Sequence, residues 1–203
     1  MHYVYKRNTF IQLLATTEVM KTENSRITIH MVSSLDGFIA KKDGSVSWMH
    51  SKDTYEKGVE LTKEYIAEFL ESIDCYVMGS RTYEHAVELG WPYGEVPVFV
   101  LTNRNLKSDK KSVQFLSGDL TEIVSDQLKT QYKNIWMVGG TMLTKEFLRI
   151  GLADEINITI LPTLLGNGTL FFDYIGKEIS LHLIDVTAFN DGMVEMVYEI
   201  KKE

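Results

Sequence analysis

The sequence is poor in cysteine, in proline and in long apolar runs, and each scarcity excludes a class of protein. The 203 residues include one cysteine, Cys75, which excludes an intramolecular disulfide framework and a multi-cysteine metal site. Three prolines and 14 glycines are too few for a low-complexity chain. No window contains the roughly 20 apolar residues that a membrane-spanning helix needs. Cys75 begins a short apolar run and is therefore expected to be a buried core thiol.

Basic residues are outnumbered by acidic ones. The chain carries 21 Lys and Arg against 28 Asp and Glu, a formal charge of −7, which disfavours nucleic acid as a partner. The histidines show no metal-ligand spacing, so no metal site is expected. Residues 1–25 lack the apolar core and cleavage site of a signal peptide and are interpreted as an N-terminal extension. One thiol and no export signal together predict a cytoplasmic protein without membrane contact.

Short apolar strands alternate with helices along residues 26–203. Runs rich in β-branched residues predict strands, and apolar residues at helical spacing predict helices. The turn Asn190-Asp191-Gly192 predicts a closing antiparallel hairpin. The fold class is therefore α/β, with a mostly parallel mixed sheet and ligands expected beyond the carboxyl ends of the strands. The predicted strands are 27–35, 38–40, 75–78, 96–101, 113–116, 135–138, 155–161, 182–189 and 193–201. The predicted helices are a long helix capped by Ser51 and running to about residue 70, then 82–89, 120–132 and 141–150.

Two strand-to-helix junctions contain glycine. Gly79 ends one predicted strand, and Gly139 and Gly140 end another. Glycine lets the backbone approach a ligand closely, and the free N–H groups of the following helix attract phosphate. Two such junctions in one sheet would hold a dinucleotide diphosphate, with Arg81 and Arg104 meeting further phosphate charge. The alternative is that the glycines make tight turns and the arginines are surface residues. Neither junction has the Gly-x-Gly-x-x-Gly pattern of a Rossmann domain.

Five motifs occur in a characteristic order. They are Ser34-Leu35-Asp36-Gly37-Phe38-Ile39-Ala40, Gly79-Ser80-Arg81-Thr82-Tyr83-Glu84, Val100-Leu101-Thr102-Asn103-Arg104, Val138-Gly139-Gly140, and 161–168 followed by Leu170-Phe171. Over residues 26–201 the chain resembles the dihydrofolate-reductase-like family, and most closely the reductase domain of the bifunctional riboflavin-biosynthesis deaminase-reductase. The resemblance implies a three-layer α/β/α fold. It also implies NADPH as the hydride donor to a pterin-like or pyrimidine substrate.

The resemblance also implies which residues contact the cofactor. Backbone groups of Val32 and Ala40 would face the nicotinamide carboxamide. The residues expected at the phosphates and the adenine ribose are Gly79, Arg81, Thr82, Thr102, Asn103, Arg104, Gly139, Gly140, Thr141, Met142 and Leu143. Many relatives carry arginine directly after the first glycine, where this chain has Ser80. A one-residue shift turns a helical side chain by roughly 100°. NADH therefore stays an alternative to NADPH, with Arg104 as the candidate for the missing charge.

Trp48 and Asp53 are the first candidates for the substrate side. In dihydrofolate reductases a tryptophan before the first long helix is followed five residues later by the substrate-binding carboxylate, and Asp53 follows Trp48 at that spacing. A buried carboxylate there would bind an aminopyrimidine ring and assist proton delivery. The alternative is that Asp53, in the first turn after Ser51, is only a favourable anion at a helix start.

Asp36 and Thr159 are the other two candidates. Asp36 is a second possible catalytic acid, and its alternative role is to brace the turn that follows the first strand. Thr159 resembles the threonine that lines the substrate pocket of dihydrofolate reductases. It shares one face of its strand with Asn157, and that face is directed either at the pocket or at solvent on a sheet edge.

Three functional hypotheses are consistent with these patterns. The first is a reductase resembling 5-amino-6-(5-phosphoribosylamino)uracil reductase, acting with NADPH on a small pyrimidine- or pterin-type molecule. The second is a dihydrofolate reductase acting on a pteridine, and the third is a nucleotide-binding protein without catalysis. The zinc-binding Cys-x-x-Cys of the deaminase half is absent. Related reductases are often dimers, so the resemblance also implies a possible homodimer.

Overall fold

The computed structural model describes residues 25–202, so the predicted N-terminal extension, apart from Ser25, lies outside the described residues. The strands are β1 (Arg26–Ser34), β2 (Phe38–Ala40), β3 (Cys75–Gly79), β4 (Val98–Leu101), β5 (Val113–Leu116), β6 (Asn134–Gly139), β7 (Glu155–Leu161), β8 (Thr169–Leu170), β9 (Leu181–Ala188) and β10 (Val194–Ile200). The helices are α1 (Lys63–Glu71), α2 (Ser80–Glu88), α3 (Leu120–Glu122), which continues as a π-helical segment over Ile123–Leu128, and α4 (Thr141–Arg149).

Eight strands form one mixed sheet in the order β5-β4-β3-β6-β1-β7-β10-β9. The six strands from β5 to β7 pair in parallel, whereas β10 runs antiparallel to both β7 and β9. The strands β2 and β8 form a separate antiparallel pair. The predicted mostly parallel sheet with an antiparallel C-terminal hairpin is therefore confirmed. Among the helices of the described part, none is long and apolar enough to cross a bilayer.

Helices cover both faces of the sheet and give it three layers. On one face the strand residues Ile29 and Met137 are fully buried in one cluster with Phe147 of α4 and with residues of the π-helical segment. Burying a side chain of this size contributes about 1.5–3 kcal/mol. Cys75 belongs to the same cluster, which confirms the predicted core thiol, and burial raises its pKa to about 12. On the opposite face Tyr83 of α2 packs in a second apolar cluster.

The predicted long helix after Ser51 is wrong in its first half. The helix α1 begins at Lys63, and its N-cap is Thr62, whose side chain accepts a hydrogen bond from the backbone N–H of Tyr65 at 3.1 Å. Ser51 caps no helix. Its hydroxyl donates to the backbone carbonyl of Asp191 in the C-terminal hairpin.

The segment 52–61 is a loop because the hairpin satisfies its backbone. The N–H of Val59 donates to the carbonyl of Ala188 at 2.9 Å, and the N–H of Asn190 donates to the carbonyl of Val59 at 2.8 Å. A side chain at Gly58 would overlap the backbone of Phe189, so the two segments touch directly. These partners are distant in sequence, and the helical spacing of apolar residues carries no information about them.

Candidate functional site

Both glycine junctions lie at the carboxyl edge of the parallel sheet and touch each other. The strands β3 and β6 are neighbours, and Met78 pairs with Gly139. A Cβ built on Gly79 would lie 3.9 Å from the carbonyl oxygen of Gly139. Gly139 has a φ of 112°, which favours glycine, and a Cβ there would press on Met31 at 3.1 Å. The backbone at this point is therefore bare and close-packed.

Two helix N-termini meet at these junctions. The N-cap residues are Gly79 for α2 and Gly140 for α4, and neither end has a side-chain cap. The Oγ1 of Thr82 lies 3.4 Å from the Cβ position of Gly140, so the two first turns are adjacent. The N–H groups of an uncapped first turn and the helix dipole favour an anion. This arrangement fits the diphosphate of a dinucleotide, which the glycine pattern predicted.

Three residues of α4 were also predicted to contact the cofactor, namely Thr141, Met142 and Leu143, and their side chains differ in exposure. Thr141 donates its hydroxyl to the carbonyl of Leu170 at 2.7 Å, which ties the start of α4 to β8. Met142 is 66% exposed beside the junction. Leu143 packs instead against the core. Leu143 can therefore contact a ligand through its backbone N–H but not through its side chain.

The end of β4 adds positive charge next to the first junction. The residues Thr102, Asn103 and Arg104 follow β4, and Thr102 Oγ1 accepts the backbone N–H of Arg104 at 3.1 Å. The Arg104 guanidinium reaches Ser80 Oγ at 3.4 Å, at the start of α2. Arg81 is exposed at the same helix start. The structure therefore brings Arg104 to the position that Ser80 leaves without charge.

Asp36 links the end of β1 to the segment 162–168. Its carboxylate accepts hydrogen bonds from Ser34 Oγ at 2.5 Å, from the N–H of Leu165 at 3.1 Å and from the N–H of Gly166 at 2.7 Å. These donors, the Ser34 hydroxyl first, hold the pKa of Asp36 below its ordinary value. The contacts are those of a brace, and a catalytic role for Asp36 stays a prediction.

The same segment lies against β2. Gly168 has a φ of 150°, and a side chain there would overlap the carbonyl oxygen of Ala40. Ala40 is the predicted partner of the nicotinamide carboxamide together with Val32, which pairs with Thr159 across β1 and β7. The position of Ala40 is thus set by contacts with a segment more than a hundred residues later.

Trp48 and Asp53 line one cavity of about 300 Å³ with the end of β7. The lining residues are Trp48, His50, Ser51, Lys52, Asp53, Leu161, Pro162 and Thr163. Trp48 is 9% exposed, and its Nε1 has no hydrogen-bond partner within residues 25–202. A buried indole N–H without a partner is available to an acceptor on a ligand.

Asp53 is placed differently from the sequence-based expectation. It is exposed and lies in the loop 52–61, so it is not in the first turn of a helix, because α1 starts at Lys63. Its backbone N–H donates to Ser51 Oγ at 3.1 Å. Its Oδ2 lies 2.5 Å from the Cβ position of Gly192, whose φ of 80° favours glycine, so a side chain there would displace the Asp53 carboxylate. The substrate-binding role of Asp53 stays a prediction.

Thr159 is buried on an interior strand. It is 6% exposed, and β7 lies between β1 and β10, so its face does not form a solvent-exposed edge. Asn157, two residues earlier, is 8% exposed, and its Oδ1 has no partner in the described part of the chain. His30 pairs with Asn157 in the parallel register. A polar row therefore runs beneath α1.

One polar contact beside this row is not evident from the motifs. The hydroxyl of Tyr65 donates to Glu195 Oε1 at 2.9 Å, and Glu195 pairs with Thr159 across β7 and β10. Burial and this carboxylate raise the pKa of Tyr65 to about 12. The alternation of β10 places Glu195 on the face of Thr159, but only the pairing of β10 with β7 reveals it.

Comparisons with known proteins agree with this geometry. The family model of the RibD C-terminal domain matches residues 25–195. The uncharacterized protein YwjB of Bacillus subtilis is 29% identical over 170 residues, which cover 83% of this chain and 94% of YwjB. A solved structure from Shewanella sp. PV-4, named a "putative riboflavin biosynthesis protein", is 28% identical with a TM-score of 0.74 and covers 87% of this chain and 99% of its own.

A more distant structure shares the fold. The Thermotoga maritima diaminohydroxyphosphoribosylaminopyrimidine deaminase/5-amino-6-(5-phosphoribosylamino)uracil reductase is 16% identical, with a TM-score of 0.65, and the match covers 89% of this chain and 58% of that longer one. The family match spans more than half of the sequence and includes both glycine junctions, Asp36 and Thr159. The expected dihydrofolate-reductase-like fold is confirmed, and the chain belongs to the RibD C-terminal domain family.

Proposed function

We propose that this protein is an NADPH-dependent reductase that acts on a small pyrimidine- or pterin-type molecule. One observation carries the proposal: two uncapped helix N-termini, those of α2 and α4, touch at Gly79 and Gly139 beside two arginines. This arrangement fits a dinucleotide diphosphate with an additional phosphate. The name of the Thermotoga protein includes 5-amino-6-(5-phosphoribosylamino)uracil reductase, and this name supports a pyrimidine-type substrate.

The residues at the carboxyl edge would hold the cofactor in three parts. The first turns of α2 and α4 would bind the diphosphate through backbone N–H groups. Arg104, with Ser80 and the neighbouring Arg81, would bind the phosphate on the adenine ribose. The backbone of Val32 and Ala40 would orient the nicotinamide. When bound, NADPH supplies a hydride, and the protein contributes binding and orientation.

The cavity lined by Trp48 and Asp53 would receive the substrate. The buried Nε1 of Trp48 would donate to a ring carbonyl or a ring nitrogen. The Asp53 carboxylate, which also lines the cavity, would accept a hydrogen bond from an amino group of an aminopyrimidine and assist proton delivery to the substrate. Trp48 and Leu161 would exclude water from one side of the ring.

Nucleotide binding and turnover test this proposal separately. Calorimetric titration with NADPH and NADH measures binding, and we expect the tryptophan fluorescence to be quenched. Loss of NADPH absorbance across a panel of aminopyrimidine ribosides, pterins and flavins measures turnover. Failure to bind either nucleotide at millimolar concentration would refute an NADPH-dependent enzyme. Binding without turnover of any compound would favour the nucleotide-binding protein without catalysis.

Dihydrofolate reduction is a second candidate function, and the shared cavity of Trp48 and Asp53 favours it. If this function is correct, D53N should lower turnover of dihydrofolate by at least a hundredfold while NADPH binding stays within twofold. The matched control is D43N, because Asp43 is exposed in another loop, where it accepts the N–H of Ser45. Unchanged dihydrofolate turnover in D53N, or none in the unaltered protein, would eliminate this candidate.

We propose in addition that the protein pairs with a second copy through one face of its antiparallel strands. Apolar side chains on this face form what we term the uncharged face: Ile160, Leu183, Val186, Val194, Met196 and Tyr198. Leu183 and Val186 are 48% and 55% exposed. The charged side chains of these strands, Glu155, Asp185, Glu195 and Glu199, lie on the opposite face. A face without charge suits an identical face better than it suits a charged ligand.

A further inference from the structure

A glutamate forms an ion pair with the arginine that would bind the ribose phosphate in the proposed site. Both carboxylate oxygens of Glu84 accept hydrogen bonds from Arg104, Oε2 from Nη1 at 2.8 Å and Oε1 from Nη2 at 2.6 Å. The side chains are 51% exposed for Arg104 and 40% exposed for Glu84, so the pair lies at the surface of the site. Ser80 Oγ lies 3.4 Å from the same Nη1. Glu84 is thus positioned within the group of residues that would bind the ribose phosphate.

We infer that Glu84 determines cofactor preference in this chain by weakening the binding of NADPH relative to NADH. This inference rests on the proposed function and deepens it. Without Glu84 the two arginines, Arg81 and Arg104, would present two positive charges to the adenine ribose. With Glu84 the local charge falls to 2 − 1 = +1. The site then tolerates a ribose without a phosphate.

The helix α2 places Glu84 beside Arg104. It lies four residues after Ser80, which is about one turn along α2, so both side chains are on the helix face that looks toward the end of β4. A bidentate carboxylate matches the guanidinium fork, and Arg104 in turn holds the pKa of Glu84 below its ordinary value. Arg81 lowers that pKa further through its charge. Glu84 therefore remains ionised at neutral pH.

A bound ribose phosphate would face this carboxylate at short range. A phosphate dianion about 6 Å from a carboxylate in a water-like medium is repelled enough to weaken binding by about tenfold. NADH has no such phosphate, so the same carboxylate leaves its binding unaffected. Since the residues are exposed, added salt should screen the repulsion. The preference between NADPH and NADH and the salt dependence of that preference therefore both come from the Glu84 side chain.

The test is calorimetric titration of NADPH and NADH into the full-length protein and into E84Q, at low and at high salt. Glutamine keeps the shape and one acceptor for Arg104 but removes the charge. We expect the NADPH dissociation constant of E84Q to fall by about tenfold at low salt, with NADH unchanged within twofold. The gain in NADPH affinity should be smaller at high salt. E88Q, at the exposed end of the same helix, is the matched control and should leave both constants unchanged.

The possible outcomes separate this inference from the proposed function. If the unaltered protein binds NADPH but E84Q shifts both nucleotides equally or neither, the inference on Glu84 is wrong and the proposed function stands. If neither nucleotide binds the unaltered protein, both fail together. If E88Q changes the ratio as much as E84Q does, the effect belongs to the overall charge of the helix, and the specific role of Glu84 is refuted.

Discussion

The imidazole ring of His30 stacks on the indole of Trp136, with ring centroids 4.6 Å apart and planes 20° from parallel. The Nε1 of Trp136 also donates to the backbone carbonyl of His30 at 3.0 Å. Phe69 of α1 closes the stack with an edge contact of 4.8 Å to the imidazole. Burial lowers the pKa of His30 to about 4. His30 is therefore neutral at physiological pH, and Trp136 covers one side of it.

Protonation of His30 should weaken the fold in acid. Its pKa falls from 6.5 in the unfolded chain to about 4 in the folded one, so the unfolded state binds the extra proton between these values. Stability from this group is fully present above pH 6.5 and is lost as the pH falls toward 4, by at most about 1.4 kcal/mol per pH unit. Urea unfolding at several pH values measures the slope. H30Q should flatten it, whereas H50Q at an exposed position should not. An equal slope in H30Q would contradict the assignment.

Replacing Asp36 by asparagine separates bracing from catalysis. D36N loses the charge that accepts the N–H groups of Leu165 and Gly166, so its melting temperature should fall below that of D43N. Because the pKa of Asp36 is lowered in the fold, its stabilising effect is present at neutral pH and disappears as carboxylates protonate in acid. The pH dependence of turnover should keep its shape. If D36N instead keeps its melting temperature while its turnover no longer changes with pH in the acidic range, Asp36 is the catalytic acid.

Gly168→Ala tests the contact that positions Ala40. An alanine Cβ would overlap the carbonyl oxygen of Ala40, so we expect a loss of about 2–4 kcal/mol in unfolding free energy, or displacement of β2. Gly166→Ala is the control, because its Cβ meets open space and only the positive φ of 73° opposes it, at about 1 kcal/mol. Chemical denaturation and NADPH titration measure both effects. Equal losses in the two variants would show that the overlap is relieved without moving Ala40.

Val186→Asp tests pairing through the uncharged face. We expect the unaltered protein to sediment as a dimer at micromolar concentration, and V186D to sediment as a monomer because two carboxylates would be buried against each other. V59D is the control, because Val59 is 53% exposed, close to the 55% of Val186, but lies outside this face. A monomeric unaltered protein, or a dimeric V186D, would exclude this interface.

The alternation of apolar runs predicted most of the strands, the glycines marked both strand-to-helix junctions, and the resemblance of five ordered motifs indicated the family. Strand β7 occupies the predicted range 155–161, and both predicted glycine junctions lie where the parallel neighbours β3 and β6 end. Local pattern was sufficient there, because a buried strand has to be apolar and a bare backbone needs glycine. The local pattern failed between residues 51 and 62, where it predicted a helix. There the chain satisfies its backbone on the hairpin, and Thr62 caps the helix.

The sequence by itself determined the fold class and the residue types at the carboxyl edge, because these depend on spacing along the chain, and the resemblance of its five motifs indicated the family. Only the tertiary structure decided which charges meet. Arg104 is 20 residues from Glu84, and Asp36 is 130 residues from Gly166, yet both pairs are in hydrogen-bond contact. Strand order and register set these contacts, and no local pattern encodes them. Asp53 shows the same limit, since its position two residues after Ser51 predicted the first turn of a helix, whereas the fold places it in a loop.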